Sequence, residues 1–416
     1  MAIRLLILTF AIFLGFSTVS YSQIKLPDVT GPIIQRIPVY VPELTSLGAP
    51  NAKGKEFADV VRNDLKNAAL FDVSRGGALG GDLNNINFQS IFDNGSDYLI
   101  AGQYQTEGNR IKFAVQLYNV KEERPILGRT YVATPGKVRE AAHKFADLAM
   151  KQMTGKQGFF TSKIAFVLGS KRNRNLFIMD YDGANKQQLT KHNALVMSPD
   201  CSPNGRQILF NSDNVWDQDL YLYTLGQGEK RLTKAFKLEQ SPEWSPSGNQ
   251  FAFSSNGDIY VSNLKGGAKN LTRSGSIDIS PTWSPDGSRI AFVSDRSGNP
   301  NIYVMSSNGG AARRITSSGY NTDPSWSPNP EVNKIAFVKV DGGTNIYTID
   351  PSGGGQSRLT LSGGRNENPS WSPDGYYIAF TSTKQGARDI YLMYANGENQ
   401  VRLSQGGGKR FPTWCK

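Results

Sequence analysis

Histidine and cysteine are scarce, with two of each in 416 residues. His143 and His192 stand 49 positions apart. A Ser–His–Asp or Cys–His nucleophilic device would have to be built on one of them. There is no G-x-S-x-G elbow, no H-E-x-x-H and no paired C-x-x-C. These absences argue against classical hydrolysis and against zinc chemistry. Cys201 and Cys415 do not make a disulfide framework, although one bridge between them stays open because the chain end must approach the first repeats. No stretch beyond Phe16 is apolar enough to span a membrane. Charged residues reach only 19%, and the excess of +11 is scattered rather than gathered in a run. Together with an export signal, that disfavours nucleic acid as a partner and fits a solvated, mixed surface.

What the chain does hold is glycine, 43 residues, and proline, 21 residues, the composition of a turn-rich globular protein. Its first 22 residues read as a secretory signal: Arg4, an apolar core from Leu5 to Phe16, and small residues at Ser20 and Ser22. Cleavage before Gln23 removes one charge, Arg4, and leaves +10. No cysteine follows the apolar core to accept a lipid. The mature chain is expected to be exported, monomeric and not inserted in a membrane.

Residues 23–155 read as an arm followed by a small α/β domain. The arm is rich in proline, at 27, 32, 38 and 42. Proline removes ladder donors, so "RIPVYV" is expected as an edge-type strand. An arm that cannot bury itself suits capture by strand addition, which makes Gln23, Ile24, Lys25, Leu26, Pro27 and Asp28 candidate partner-binding residues. Helical periodicity predicts helices over 54–70 and 137–153. His143 lies off the apolar face of the second and is expected to be solvated. Between them come a loop rich in Gly and Asn and three alternating strands, "DYLIAGQYQ", "RIKFAVQLYNV" and "GRTYVAT". Residues 156–160 are the expected linker.

From 161 to 416 one pattern repeats. "SPEWSPSGNQFAFSS" begins at Ser241, "SPTWSPDGSRIAFVS" at Ser280, "DPSWSPNPEVNKIAFVK" at Asp323 and "NPSWSPDGYYIAFTS" at Asn368. A weaker copy, "SPDCSPNGRQILFNS", begins at Ser198, and "FPTWCK" begins at Phe411. The first prolines fall at 199, 242, 281, 324, 369 and 412. That spacing matches the roughly 40–45 residues of a propeller blade. Each unit adds an "IAF" strand, a "DIYVM" strand and an "RLT" strand, giving four strands per blade. The first unit lacks its P-x-W strand and the last P-x-W strand, Pro412–Trp414, lacks a unit. Pairing the two closes a six-bladed ring and removes its free edges. The tryptophans are expected between neighbouring blades. Cys201 stands in place of one, which predicts a less filled interface there.

The export signal, the α/β domain and six copies of "P-x-WSPDG…IAF…DIYVM…RLT" resemble the TolB family, the exported component of the Tol–Pal system. The resemblance covers nearly all of the mature chain. "SPNPEVN", "PSG" and Cys201 depart from the repeat, all at turns or blade interfaces. The resemblance implies a non-enzymatic adaptor without cofactor or metal. It implies that the propeller mouth binds the peptidoglycan-associated lipoprotein Pal and that the arm engages the inner-membrane protein TolA, in support of outer-membrane integrity and division.

The residues ahead of each first proline differ in every copy although the framework is regular. Variation on a repeated scaffold is how a binding surface is grafted. The candidate mouth residues are Glu239, Gln240, Asp278, Ile279, Asn321, Thr322, Asp323, Asn366, Glu367, Asn368, Lys409 and Arg410. Two other readings stay open. One is a cation site, possible for Asp278, Asp323, Glu367 and Asn368 where oxygens converge on the channel, with a metal-dependent hydrolase as its extreme form. The other is a small-ligand or cell-wall glycan site, which would need more aromatics than Tyr320 and Phe411.

Overall fold

The computed structural model describes residues 36–68, 70–79, 83, 85–170, 172–215, 217–233, 238–361 and 363–416. The expected signal segment and the arm residues Gln23, Ile24, Lys25, Leu26, Pro27 and Asp28 lie outside them. None of the described helices is long and apolar enough to cross a membrane.

The first sheet contains β1 (Ile37–Pro42), β2 (Thr45–Ser46), β3 (Phe71–Gly76), β4 (Tyr98–Glu107), β5 (Arg110–Asn119) and β6 (Arg124–Ala133). Its order is β3-β1-β4-β5-β6, with β2 beside β4. Helices α1 (Ala52–Ala68), α2 (Phe88–Asp93) and α3 (Val138–Thr154) complete the unit. Phe57 of α1 stacks on Phe113 of β5 at 4.8 Å between ring centroids, with Phe145 of α3 beside them.

Two expectations fail here. β1 is not an edge strand: it lies between β3 and β4, parallel to both. Its prolines are tolerated for a geometric reason. The Ile37 N–H donates to Leu70 O on the β3 side, so by alternation Pro38 and Pro42 face β4. There the ladder is only two residue pairs long, Val39 with Tyr98 and Tyr40 with Leu99. The expected Gly/Asn loop also hides β3 and α2.

The remaining strands form six four-stranded antiparallel sheets around a channel. Inner strands are Val196–Cys201, Gln240–Trp244, Asp278–Trp283, Tyr320–Trp326, Asn366–Trp371 and Lys409–Cys415. The last of these pairs with Lys163–Ser170, placing Trp414 opposite Ile164 and Cys415 opposite Lys163. The ring is thus six-bladed and closed by a strand from the far end of the sequence, as the repeat predicts. Blades pack through apolar clusters, for example Ala252, Ile259 and Leu271 of one against Trp283, Phe292 and Tyr303 of the next. Where Cys201 replaces tryptophan, it forms a disulfide with Cys415, with Cα atoms 5.2 Å apart. The vacancy left by the ring is therefore bridged covalently.

The α/β unit is seated on the propeller by a shared core. Phe159 and Phe160, from the expected linker, are buried against Tyr181, Tyr377 and Trp414. The Tyr377 hydroxyl donates to Ala68 O at 3.0 Å, and the Tyr394 hydroxyl donates to the same carbonyl. Ala68 is the last residue of α1, so two blade tyrosines satisfy a helix-end carbonyl that has no partner within the helix.

Candidate functional site

Each inner strand carries the same irregularity. Ser198, Ser241, Ser280, Asp323, Asn368 and Phe411, each directly before a proline, have φ between +46° and +53°. The ladder shifts register at that point in every blade. A regular strand turns successive side chains to opposite faces. The bulge breaks that alternation, so that consecutive residues such as Ser198, Pro199 and Asp200 all line one cavity of about 140 Å³. Backbone held in the left-handed region by a serine or a phenylalanine is costly, and such strain collects at functional positions.

Taken from the opening inward, the channel wall is a stack of sixfold tiers. The outermost tier, four residues before each proline, is Leu195, Leu238, Ile277, Tyr320, Arg365 and Gly408. The next is Val196, Glu239, Asp278, Asn321, Asn366 and Lys409. Then come Met197, Gln240, Ile279, Thr322, Glu367 and Arg410, followed by the left-handed residues. The innermost tier, directly after each proline, is Asp200, Glu243, Thr282, Ser325, Ser370 and Thr413, all but Thr282 lining the cavity.

The twelve candidate mouth residues separate cleanly between these tiers. Glu239, Asp278, Asn321, Asn366 and Lys409 are buried at 3% exposure or less and do not face the opening. They tie blade to blade. Thr233 Oγ1 donates to Glu239 at 3.0 Å, and Ser274 Oγ donates to Asp278 at 2.7 Å. Asn321 donates to Asn301 at 3.0 Å, and Asn366 to the Thr344 carbonyl at 3.5 Å. Lys409 pairs with Asp389 at 2.9 Å. Gln240, Ile279, Thr322, Asp323, Glu367, Asn368 and Arg410 are half-exposed around the channel. Apart from Tyr320, sequence reasoning passed over the outermost tier and the tier directly after each proline. A fixed offset from each proline would have found both.

The innermost tier is knitted around the ring. The Trp244 N–H donates to Asp200 at 2.7 Å, Trp283 N–H to Glu243 at 3.0 Å and Trp326 N–H to Thr282 at 3.0 Å. Trp414 N–H donates to Ser370 at 3.4 Å, and Thr413 reaches Asp200 at 3.4 Å to span the closure. Burial pushes the Asp200 carboxyl up to about 7, against the pull of its Trp244 and Thr413 donors. Burial and then the Asp200 charge hold Glu243 well above the usual carboxylate range. Asp323 is lifted to about 6 by burial and by Glu367, opposed by Asn368.

The four residues of the cation reading do not converge. Asp278 is committed to Arg296, and Glu367 to Arg365 at 2.8 Å and Arg388 at 3.0 Å. Asn368 donates to Asp323 at 3.0 Å.

Neither histidine is solvated. His192 Nδ1 lies 3.2 Å from Ser212 Oγ and its Nε2 lies 2.6 Å from Glu229, a Ser–His–Glu order. Ser212 has 0% exposure, so its hydroxyl cannot meet a substrate. His143, expected in water, is 3% exposed because α3 is covered by α1 on one side and by a blade turn on another. Its Nδ1 lies 2.8 Å from Asp64, whose other oxygen accepts from Tyr181 at 2.6 Å. Asp64, His143 and Asp182 come within 4.8 Å of one another. Arg139 already pairs with Asp182, so the cluster is charge-compensated without an ion.

The family described as the TolB beta propeller domain matches residues 150–416, and the TolB amino-terminal domain matches 28–126. The Tol-Pal system protein TolB of Syntrophotalea carbinolica is 36% identical over 44% of each chain. That of Geobacter metallireducens is 37% identical over 49% of each. The matched stretch thus spans less than half the length of these curated relatives. The crystal structure of TolB from Acinetobacter baumannii superposes with a TM-score of 0.78 at 25% identity, covering 92% of this chain and 97% of that one. The propeller match takes in well over half of the residues, and on that ground the chain belongs to the TolB family, a component of the Tol–Pal system.

Proposed function

We propose that the protein is a periplasmic, non-enzymatic adaptor of the Tol–Pal system. Its propeller mouth takes the lipoprotein Pal, and its arm, residues 23–35, engages the inner-membrane protein TolA. Linking inner and outer membrane partners in this way supports outer-membrane integrity and constriction at division. The observation that carries the reading is the contrast within the channel wall. The buried tier and the hydrogen-bonded innermost tier are framework, whereas Gln240, Ile279, Thr322, Glu367 and Arg410 differ in size, polarity and charge at equivalent places on the open side. A scaffold that repeats and an opening that does not is the arrangement of a protein-recognition surface.

The test uses the mature chain and two purified partners, the lipid-free soluble domain of Pal and the C-terminal domain of TolA. Deleting residues 23–35 is expected to abolish TolA binding and to leave Pal binding within about threefold, since on this reading the two partners use different segments of the chain. Loss of both contacts by a variant that keeps its thermal midpoint overturns the two-site reading.

A further inference from the structure

Where the α/β unit meets the propeller, a cluster of polar side chains is buried between them. Helix α1 supplies Asp64, α3 supplies His143 and Arg139, and the first-blade turn after Asn173–Asp180 supplies Tyr181 and Asp182. Asp64 and Tyr181 are 0% exposed. His143 Nδ1 lies 2.8 Å from one Asp64 oxygen, and the Tyr181 hydroxyl donates to the other at 2.6 Å. One carboxylate thus ties both helices to the propeller. The Tyr181 ring meets the imidazole edge-on at 5.7 Å.

Two carboxylates, Asp64 and Asp182, face Arg139 and His143. Arg139 pairs with Asp182. Among the described residues the only cation that Asp64 can pair with is an imidazolium at His143. The remaining polar groups do not change that balance. Asn67 donates to the Tyr181 hydroxyl at 3.4 Å. Asp147, one turn along α3, is occupied by the Phe160 and Thr161 N–H groups at 2.7 and 3.2 Å. With His143 protonated, the charge of Asp64 is matched. With His143 neutral, the junction buries an unpaired carboxylate, which is costly. Asp64 holds the Nδ1 proton. Nε2 is buried with no hydrogen-bond partner among the described residues, so it is the atom that gives its proton up.

We propose that this cluster makes the union of the two units proton-dependent: an imidazolium at His143 locks the α/β unit onto the propeller, and loss of the Nε2 proton releases it. Burial disfavours the imidazolium, but the Asp64 hydrogen bond and charge overcome that and hold His143 above its ordinary value. The lock is therefore complete below that ordinary value and is lost as pH rises through the raised one. The device does not depend on which proteins the molecule binds.

The experiment is amide hydrogen exchange on the mature chain at about pH 6 and about pH 8.5, corrected for intrinsic rates. The probes are Phe160 and Thr161, whose side of the junction is covered by Tyr181 and Tyr377. Their opening is expected to rise at least about tenfold, the change that one lost proton produces per pH unit. Its midpoint should match the His143 titration by proton NMR, readable because the sequence has only two histidines. His143→Gln is expected to open as readily at both pH values as the parent does at the higher one. Asp64→Asn is expected to stay closed at both, because no buried carboxylate then needs a partner. Opposite outcomes from two substitutions at one hydrogen bond are not expected of a merely structural contact. Amides of Arg289–Ser294, in a different blade, are the control. Opening in the parent that does not change with pH overturns the proposal, whether or not the variants fold. So does a pH dependence that persists in both variants.

Discussion

At the residue scale the unusual feature is the number of carboxyls lifted above the ordinary carboxylate range by burial. Asp200 is lifted to about 7, Asp323, Asp374 and Asp64 to about 6, and Glu243 well above its ordinary value, with burial the first cause in each. A group whose pKa rises on folding stabilises below its unfolded value and loses that contribution as pH climbs through the folded one. For these carboxyls the loss runs from about pH 4 up to their raised values. His143 acts in the same sense: burial disfavours its imidazolium, but the Asp64 hydrogen bond and charge overcome that and hold it above its ordinary value. Its contribution is complete below its unfolded value and fades as pH rises through the folded one. Glu140 and Asp286, lowered to about 2 by hydrogen bonds, oppose this only below about pH 4.5. The thermal midpoint is therefore expected to fall as pH rises from 5 to 8, by several degrees, since about 1 kcal/mol moves it roughly 2–4 °C in a domain of this size. Scanning calorimetry across that range checks it, and Asp200→Asn should flatten the slope. None of this was legible in the sequence. Asp200 and Glu243 occupy the variable place of P-x-W, and only ring closure brings their carboxyls into one channel.

At the element scale the closing strand, Lys409–Cys415, is the decisive piece. Trp414 meets Phe159 edge-on at 5.7 Å, and its indole N–H donates to Ser370 O at 3.1 Å. Trp414→Ala is expected to cost about 3–5 kcal/mol, read from urea unfolding, because it opens a cavity where the ring, the closure and the α/β unit meet. The Cys201–Cys415 bridge joins residues 214 apart. Reducing it, or substituting both cysteines by serine, is expected to lower stability by about 2–4 kcal/mol, measured as the shift in urea midpoint with and without reductant. The blade elements could be read ahead because one motif fixed turn, strand and spacing six times over. The α/β unit was less legible: β3 is a single short strand whose reason to exist, a parallel partner in β1, is 34 residues upstream. Burial of His143 depended on a tertiary neighbour that helical periodicity does not contain.

At the scale of the whole molecule, the two units share one core and one set of polar ties. Tyr377 and Tyr394 reach Ala68, Tyr181 reaches Asp64, and Arg139 reaches Asp182. Side-chain hydrogen bonds of this kind contribute about 0.5–1.5 kcal/mol each. The triple variant Tyr181→Phe, Tyr377→Phe, Tyr394→Phe is expected to keep both units folded while loosening their union. A single calorimetric transition in the parent should then split into two. One unsplit transition in the variant would show that apolar packing around Phe159 and Phe160 suffices.

The strand that completes the first blade is made some 240 positions after its neighbour Lys163–Ser170. As the chain emerges in order, five blades can assemble but the stave at the seam stays missing. Maturation thus has a built-in finish line, and any copy interrupted before residue 409 leaves an unzipped hoop exposed to proteases.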